Sequence, residues 1–232
     1  MVTRHTGPIG TIDLTREHLD RLTAGAAAPS PGLVLGEEEH GGLVSIHMFR
    51  PHGTRVVVIA DPWLTMIMGF RALALGAAIS IRSPDPTRWS QLHGTQMERS
   101  AWARPPEWPE HPRLAIVEAE SELPAPDAPW TAGLLSLTAL TPSNVDMAAQ
   151  ADAVIVRGGQ LGLAAEQVAL VAQALAVDHD LAGAIAHNPA DVVTVASAGD
   201  LRHARITPTL LEIRLVGDPP AAHPPDGGSH ES

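Results

Sequence analysis

The stretch RVVVIADPWLTMIMGFRALALGAAISIR, from Arg55 to Arg82, decides the fold. Arg55–Ala60 is a continuous run rich in β-branched residues, the pattern of a strand covered on both faces in a parallel sheet. Asp61-Pro62 then opens a helix, because proline in the first turn gives up an N–H that has no helical partner there. From Trp63 to Leu75 the chain is apolar nearly all round, so this helix is expected to be buried, with Gly76 as its stop. Ala78–Arg82 is the next strand. Together these make a βαβ unit, whose crossover is expected to be right-handed.

Working outward, Leu33–Leu35 and Leu43–Phe49 read as a strand pair around a turn at Glu37–Gly42. Downstream, Pro84–Leu92 reads as a short helix with Trp89 on its apolar side. Strands follow at Leu114–Ala119, Gly133–Leu140 and Ala153–Val156. A short helix starts at Thr141-Pro142 and runs to Gln150, and a longer one covers Gly162–Val177. Asp191–Ala196 and Leu201–Ile206 read as a hairpin, and Thr209–Val216 fits either a helix or a strand. Strands alternating with helices from 55 to 175 predict an α/β fold. The expected architecture is a mostly parallel, Rossmann-like sheet with helices on both faces and an antiparallel C-terminal hairpin. The expected organisation is a leader with one short helix over 1–30, a single α/β domain over 31–217, and a disordered tail over 218–232.

Composition excludes several chemistries. All 15 basic residues are Arg; Lys, Tyr and Cys are absent. Without Lys there is no phosphate-loop lysine, no kinase strand lysine and no Schiff base for pyridoxal chemistry. Without Cys there is no thiol nucleophile, thiolate zinc site or iron–sulfur cluster. The net charge of −11 opposes general binding to nucleic acid or to anionic lipid. The most membrane-like stretch, Leu64 to Ile81, carries Arg71 at its middle and reads as a buried helix followed by a buried strand. No secretory signal is visible, so a cytoplasmic protein is expected.

The candidate sites lie where an α/β sheet binds ligands, at the carboxyl ends of its strands. The first such turn reads Ala60-Asp61-Pro62-Trp63. Its Pro and Trp replace the glycines that a dinucleotide site needs, which argues against a pyrophosphate there. Asp61 is either a ligand-contacting residue or a helix N-cap. Arg157-Gly158-Gly159, ahead of a helix, is either an anion site or an ordinary βα loop. Arg82 ends another strand and would join Asp61 and Arg157 in a ligand site. Glu118 and Glu120 follow a strand, without a spacing that supports acid–base work. The twelve His residues lack metal-ligand spacing, so no metal is expected. No catalytic residue and no cofactor is assigned. Trp102, Trp108 and Trp130 are candidate partner contacts, as anchors in Pro-rich loops, or else cover the sheet edge.

Several stretches together carry a resemblance. They are Met48-Phe49-Arg50-Pro51 with Thr54-Arg55-Val56, then Phe70-Arg71-Ala72-Leu73-Ala74-Leu75-Gly76-Ala77 and Trp89. Ala151-Asp152-Ala153-Val154-Ile155-Val156 and Thr207-Pro208-Thr209, near Ile213 and Gly217, complete the set. Over roughly 33–217 the chain resembles the cytosolic domain of EccE-type proteins, accessory components of actinobacterial type VII secretion. The resemblance implies a non-catalytic structural or interaction protein whose partners are other protein subunits, secretion components among them. Such proteins usually carry N-terminal membrane helices; none is read in this sequence, so a soluble relative is expected, with a homodimer among the expected assemblies. The alternative is a ligand-binding or transferase-like α/β domain with an anion site at the carboxyl strand ends.

Overall fold

In the computed structural model, the described residues are 32–92, 112–118, 126, 128–159 and 164–220. The leader, the loop with Trp102 and Trp108, and the tail beyond residue 220 lie outside them. The elements in chain order are strands β1 (Leu33–Glu37), β2 (Leu43–Ile46) and β3 (Thr54–Ile59), helix α1 (Pro62–Ala74) and strand β4 (Ala78–Arg82). A 3-10 helix (Pro86–Leu92), β5 (Arg113–Val117), β6 (Thr131–Leu137), α2 (Val145–Ala149) and β7 (Ala153–Arg157) follow. Helices α3 (Ala165–Leu175) and α4 (His179–Ala186), strands β8 (Val192–Ser197) and β9 (Asp200–Arg205), and helix α5 (Leu210–Val216) complete the described chain.

All nine strands join one sheet, in the order β2-β1-β9-β8-β7-β3-β6-β5-β4. The valine-rich β3 lies inside it, with Val56, Val57, Val58 and Ile59 fully buried. Parallel neighbours β6 and β7 take up its backbone groups on both sides. Helix α1 and Trp89 pack on one face, against Val56, Val58 and Ile79. Helices α2, α3 and α4 pack on the other, against Val57, Ile59, Val154 and Val156.

The fold is α/β, but the expectation of a mostly parallel, Rossmann-like sheet is overturned. Four of the eight neighbour pairings are antiparallel, so the sheet is mixed. The antiparallel half is more than a C-terminal hairpin, because β9 also takes up β1, and β1 takes up β2. The physical reason is one long-range junction. Glu37 pairs with Arg205, and Gly36 allows the approach: a Cβ there would stand 2.1 Å from the Arg205 carbonyl oxygen. A glycine that makes room for a strand almost 170 positions away leaves no local periodic signature. The βαβ reading of 55–82 holds in element type, yet β3 and β4 are not neighbours, since β6 and β5 lie between them.

No helix among the described residues is long and apolar enough to cross a membrane. The stretch from Leu64 to Ile81 divides into α1 and β4. Arg71, on α1, donates to the carbonyls of Val34 (2.9 Å), Leu35 (2.8 Å) and Thr207 (3.3 Å), and to the Glu212 carboxylate at 2.7 Å. One guanidinium thereby ties α1 to β1 and to the first turn of α5.

Candidate functional site

The chain leaves β3 through α1 on one face of the sheet and passes from β6 to β7 through α2 on the other. Where connections diverge in this way, the carboxyl ends of the strands are the usual ligand position in an α/β sheet. Asp61 follows β3 at this end of the sheet, and Arg157 ends the neighbouring β7.

The two form an ion pair, with Arg157 Nη1 donating to Asp61 Oδ2. Asp61 does a second task as the N-cap of α1, its Oδ1 accepting the Trp63 N–H at 2.8 Å. The Arg157 side chain is 1% exposed and that of Asp61 is 15%. A charge so far from water is stable only when its hydrogen-bonding capacity is met. Here each of the three guanidinium nitrogens finds an acceptor within the chain. Arg157 Nε donates to the Ala190 carbonyl at 2.6 Å and Nη2 to the Pro220 carbonyl at 3.2 Å. The Trp63 ring covers the guanidinium, its centroid 5.0 Å from Cζ, in a cation–π contact. The Trp63 indole N–H in turn donates to the Gly217 carbonyl at 3.0 Å.

The adjoining glycines are engaged as well. The Gly158 N–H donates to the Val192 carbonyl at 2.9 Å, and that of Gly159 to Ala186 at 3.4 Å. A Cβ on Gly158 would meet the Asn188 oxygen at 2.3 Å, so this glycine makes room for a loop. The structure thus brings Asp61 and Arg157 together, with Gly158 and Gly159 beside them, in a corner whose polar groups face one another. Arg82 stands apart from this corner. It lies on the edge strand β4, four strand spacings of about 4.8 Å, or about 19 Å, from β7.

A second polar cluster lies at the ends of β4 and β5. The Glu118 carboxylate accepts from Trp89 Nε1 at 3.0 Å, from Arg88 Nη1 at 3.4 Å, and from the Ser83 hydroxyl. Trp89 is fully buried, so Glu118 satisfies an indole N–H that would otherwise be stranded in the core. The cluster fastens the 3-10 helix to the sheet. Beside it, hydrogen bonds, first that of the Thr87 hydroxyl, hold the Asp85 carboxyl below its ordinary value. Among the described residues, no group of three His, Asp or Glu side chains is arranged to hold a metal ion.

Of the three candidate partner contacts, Trp102 and Trp108 lie outside the described residues. Trp130, just before β6, is 45% exposed with φ at 60°, a left-handed conformation that costs a residue with a side chain about 1–2 kcal/mol. Two backbone hydrogen bonds hold it there. Its N–H donates to Arg50 at 2.6 Å, and its carbonyl accepts from Arg113 at 3.0 Å.

Sequence reasoning did not reach Trp63 as a partner of Arg157, nor the segment Gly217–Pro220. A buried arginine at a strand end calls for neighbours that accept its hydrogen bonds, but nothing local names them. The Ser83 and Trp89 partners of Glu118 were also missed, although a strand-end carboxylate near a buried tryptophan is a readable combination.

Comparison with protein-family models finds no match, and neither does comparison with curated proteins. Among solved structures, the chain is similar to the genome packaging NTPase B204 from Sulfolobus turreted icosahedral virus 2, solved in complex with AMPPCP. The likeness covers 68% of this chain and 100% of that one, at 8% identity and a TM-score of 0.48. At that level it is a loose correspondence of chain path.

Proposed function

We propose that this chain is a non-catalytic structural and interaction protein, a soluble, cytoplasmic relative of the EccE-type component of type VII secretion, with other protein subunits as partners. One observation carries the non-catalytic reading. The corner where an α/β sheet offers its ligand site is filled by the protein's own groups, with Arg157 spent on Asp61, Ala190 and Pro220 under the Trp63 ring. A ligand anion entering there has to displace an intramolecular carboxylate, and the adjacent glycine amides already have carbonyl partners.

The interaction half of the proposal draws on Trp130. A large, exposed aromatic side chain on a backbone fixed by two hydrogen bonds presents apolar area that a partner can bury, which is the property of a binding anchor. The secretion assignment draws on the resemblance over residues 33–217.

The test is co-elution of the chain with the cytosolic parts of type VII secretion core components on size exclusion. The proposal expects a stable complex, weakened about tenfold or more by Trp130→Ala. Separate elution from every component would count against the secretion assignment.

A further inference from the structure

We propose that Gly217–Pro220 is an intramolecular strap that lies exposed across the ends of β3 and β7, held there by two main-chain hydrogen bonds. Its release turns the Trp63–Arg157 corner into a docking site for an extended peptide segment of a partner protein. This goes beyond the function proposed above and does not depend on the secretion assignment.

The strap is seated through its main chain. The Gly217 carbonyl accepts from the Trp63 indole at 3.0 Å, and the Pro220 carbonyl accepts from Arg157 Nη2 at 3.2 Å. Main-chain carbonyls are what any extended peptide presents, so the corner already shows in cis how it would hold a segment in trans. Pro219 and Pro220 have no N–H, so the strap offers mainly acceptors to a corner that offers donors. What release frees is the Trp63 indole N–H and one N–H of the Arg157 guanidinium. These two donors suit successive main-chain carbonyls of an extended peptide segment.

The strap can leave without taking the fold with it, because α5 before it is fixed independently. Thr209 and Glu212 form a reciprocal capping box at the start of α5, and Glu212 is paired with Arg71. Gly217 sits between α5 and the strap at φ 91°, and a Cβ there would meet nothing within 4 Å. The backbone angle therefore calls for this glycine, not crowding, and its N–H, bonded to the Ile213 carbonyl, closes α5 where the strap begins.

The test uses the full chain carrying Pro219→Gly and Pro220→Gly, which loosens the strap backbone while keeping its carbonyl acceptors and the Asp61, Trp63 and Arg157 side chains. Exchange of the two indole protons is followed by NMR. Trp63 Nε1–H reports the strap, and Trp89 Nε1–H, bonded to Glu118, reports the core. The expected result is Trp63 exchange faster by about tenfold with Trp89 unchanged. The loosened chain should then bind a synthetic peptide of residues 214–220 that the parent chain binds at least about tenfold more weakly. Unchanged Trp63 exchange, loss of protection at both indoles together, or no peptide binding by the loosened chain would each overturn the proposal.

Discussion

Arg157 and Asp61, 96 positions apart in the chain, meet as an ion pair across the carboxyl ends of two neighbouring strands. The pair turns a potential ligand corner into a structural joint. Asp61 starts α1, Arg157 ends β7, and the Trp63 ring lies over the guanidinium.

Because both charges are largely removed from water, breaking the pair is expected to cost far more than a surface ion pair does. Arg157→Met leaves the Asp61 carboxylate without its counter-ion and should destabilise by about 3–5 kcal/mol in urea unfolding. Asp61→Asn keeps a cap oxygen for Trp63 but strands the guanidinium. The double variant should lose less than the sum of the singles by at least about 1 kcal/mol. Additive losses would mean that the two side chains do not act as a pair.

The joint between the two halves of the sheet gives a second prediction. Gly36→Ala places a methyl 2.1 Å from the Arg205 carbonyl oxygen, so β1 and β9 must separate locally. The expected cost is about 1–3 kcal/mol, the range for overpacking a tight contact. Hydrogen exchange should show the loss concentrated in β1 and β2, with β3 and β6 unaffected. Wild-type protection throughout would contradict the register.

How far the sequence carried the fold follows from range. The β3–α1–β4 stretch was legible because its signals are local: a β-branched run, an Asp-Pro start and a glycine stop. The β8–β9 hairpin was legible through Ala198-Gly199, which take φ of 52° and 82° at its tip. Helix α4 was not seen, although Asp178 caps it by accepting the Leu181 N–H at 2.8 Å. The end of α3 was read to within two residues, at Val177, although Ala176 takes φ 54° where a glycine is the usual signal. In the candidate site, Asp61 and Arg157 each stood out at a strand end. That they pair was not legible, nor was the bond from Trp63 to Gly217, which spans 154 positions.

Trp130 offers a test of strain. At φ 60° glycine is free of the penalty that alanine bears. Trp130→Gly should therefore be more stable than Trp130→Ala by about 1 kcal/mol, the reverse of their order in regular structure. Thermal unfolding of the two variants side by side checks this. Alanine matching or exceeding glycine would show that the turn does not impose the left-handed angle.

Stability should also fall with acid through Glu212. Burial pushes its carboxyl up, but hydrogen bonds from Arg71 and Thr209 outweigh this and hold it below its ordinary value of 4.5. A carboxyl lowered in the folded state contributes stability that is complete above its unfolded value. That stability is lost as pH falls through the folded value. The urea midpoint should therefore be insensitive to Glu212 above about pH 4.5 and decline below it. Glu212→Gln should lower stability at neutral pH by about 1.5 kcal/mol, near the low end for a bond to a charged group, and should flatten the acid slope. An acid slope identical in both proteins would remove Glu212 from the account.

Isothermal titration of the full chain with phosphate, ADP and ATP tests most directly whether the β3–β7 corner is closed to ligands. The self-satisfied arrangement of Arg157 predicts no saturable heat at millimolar ligand. Saturable binding that Arg157→Met abolishes while the protein stays folded would contradict it.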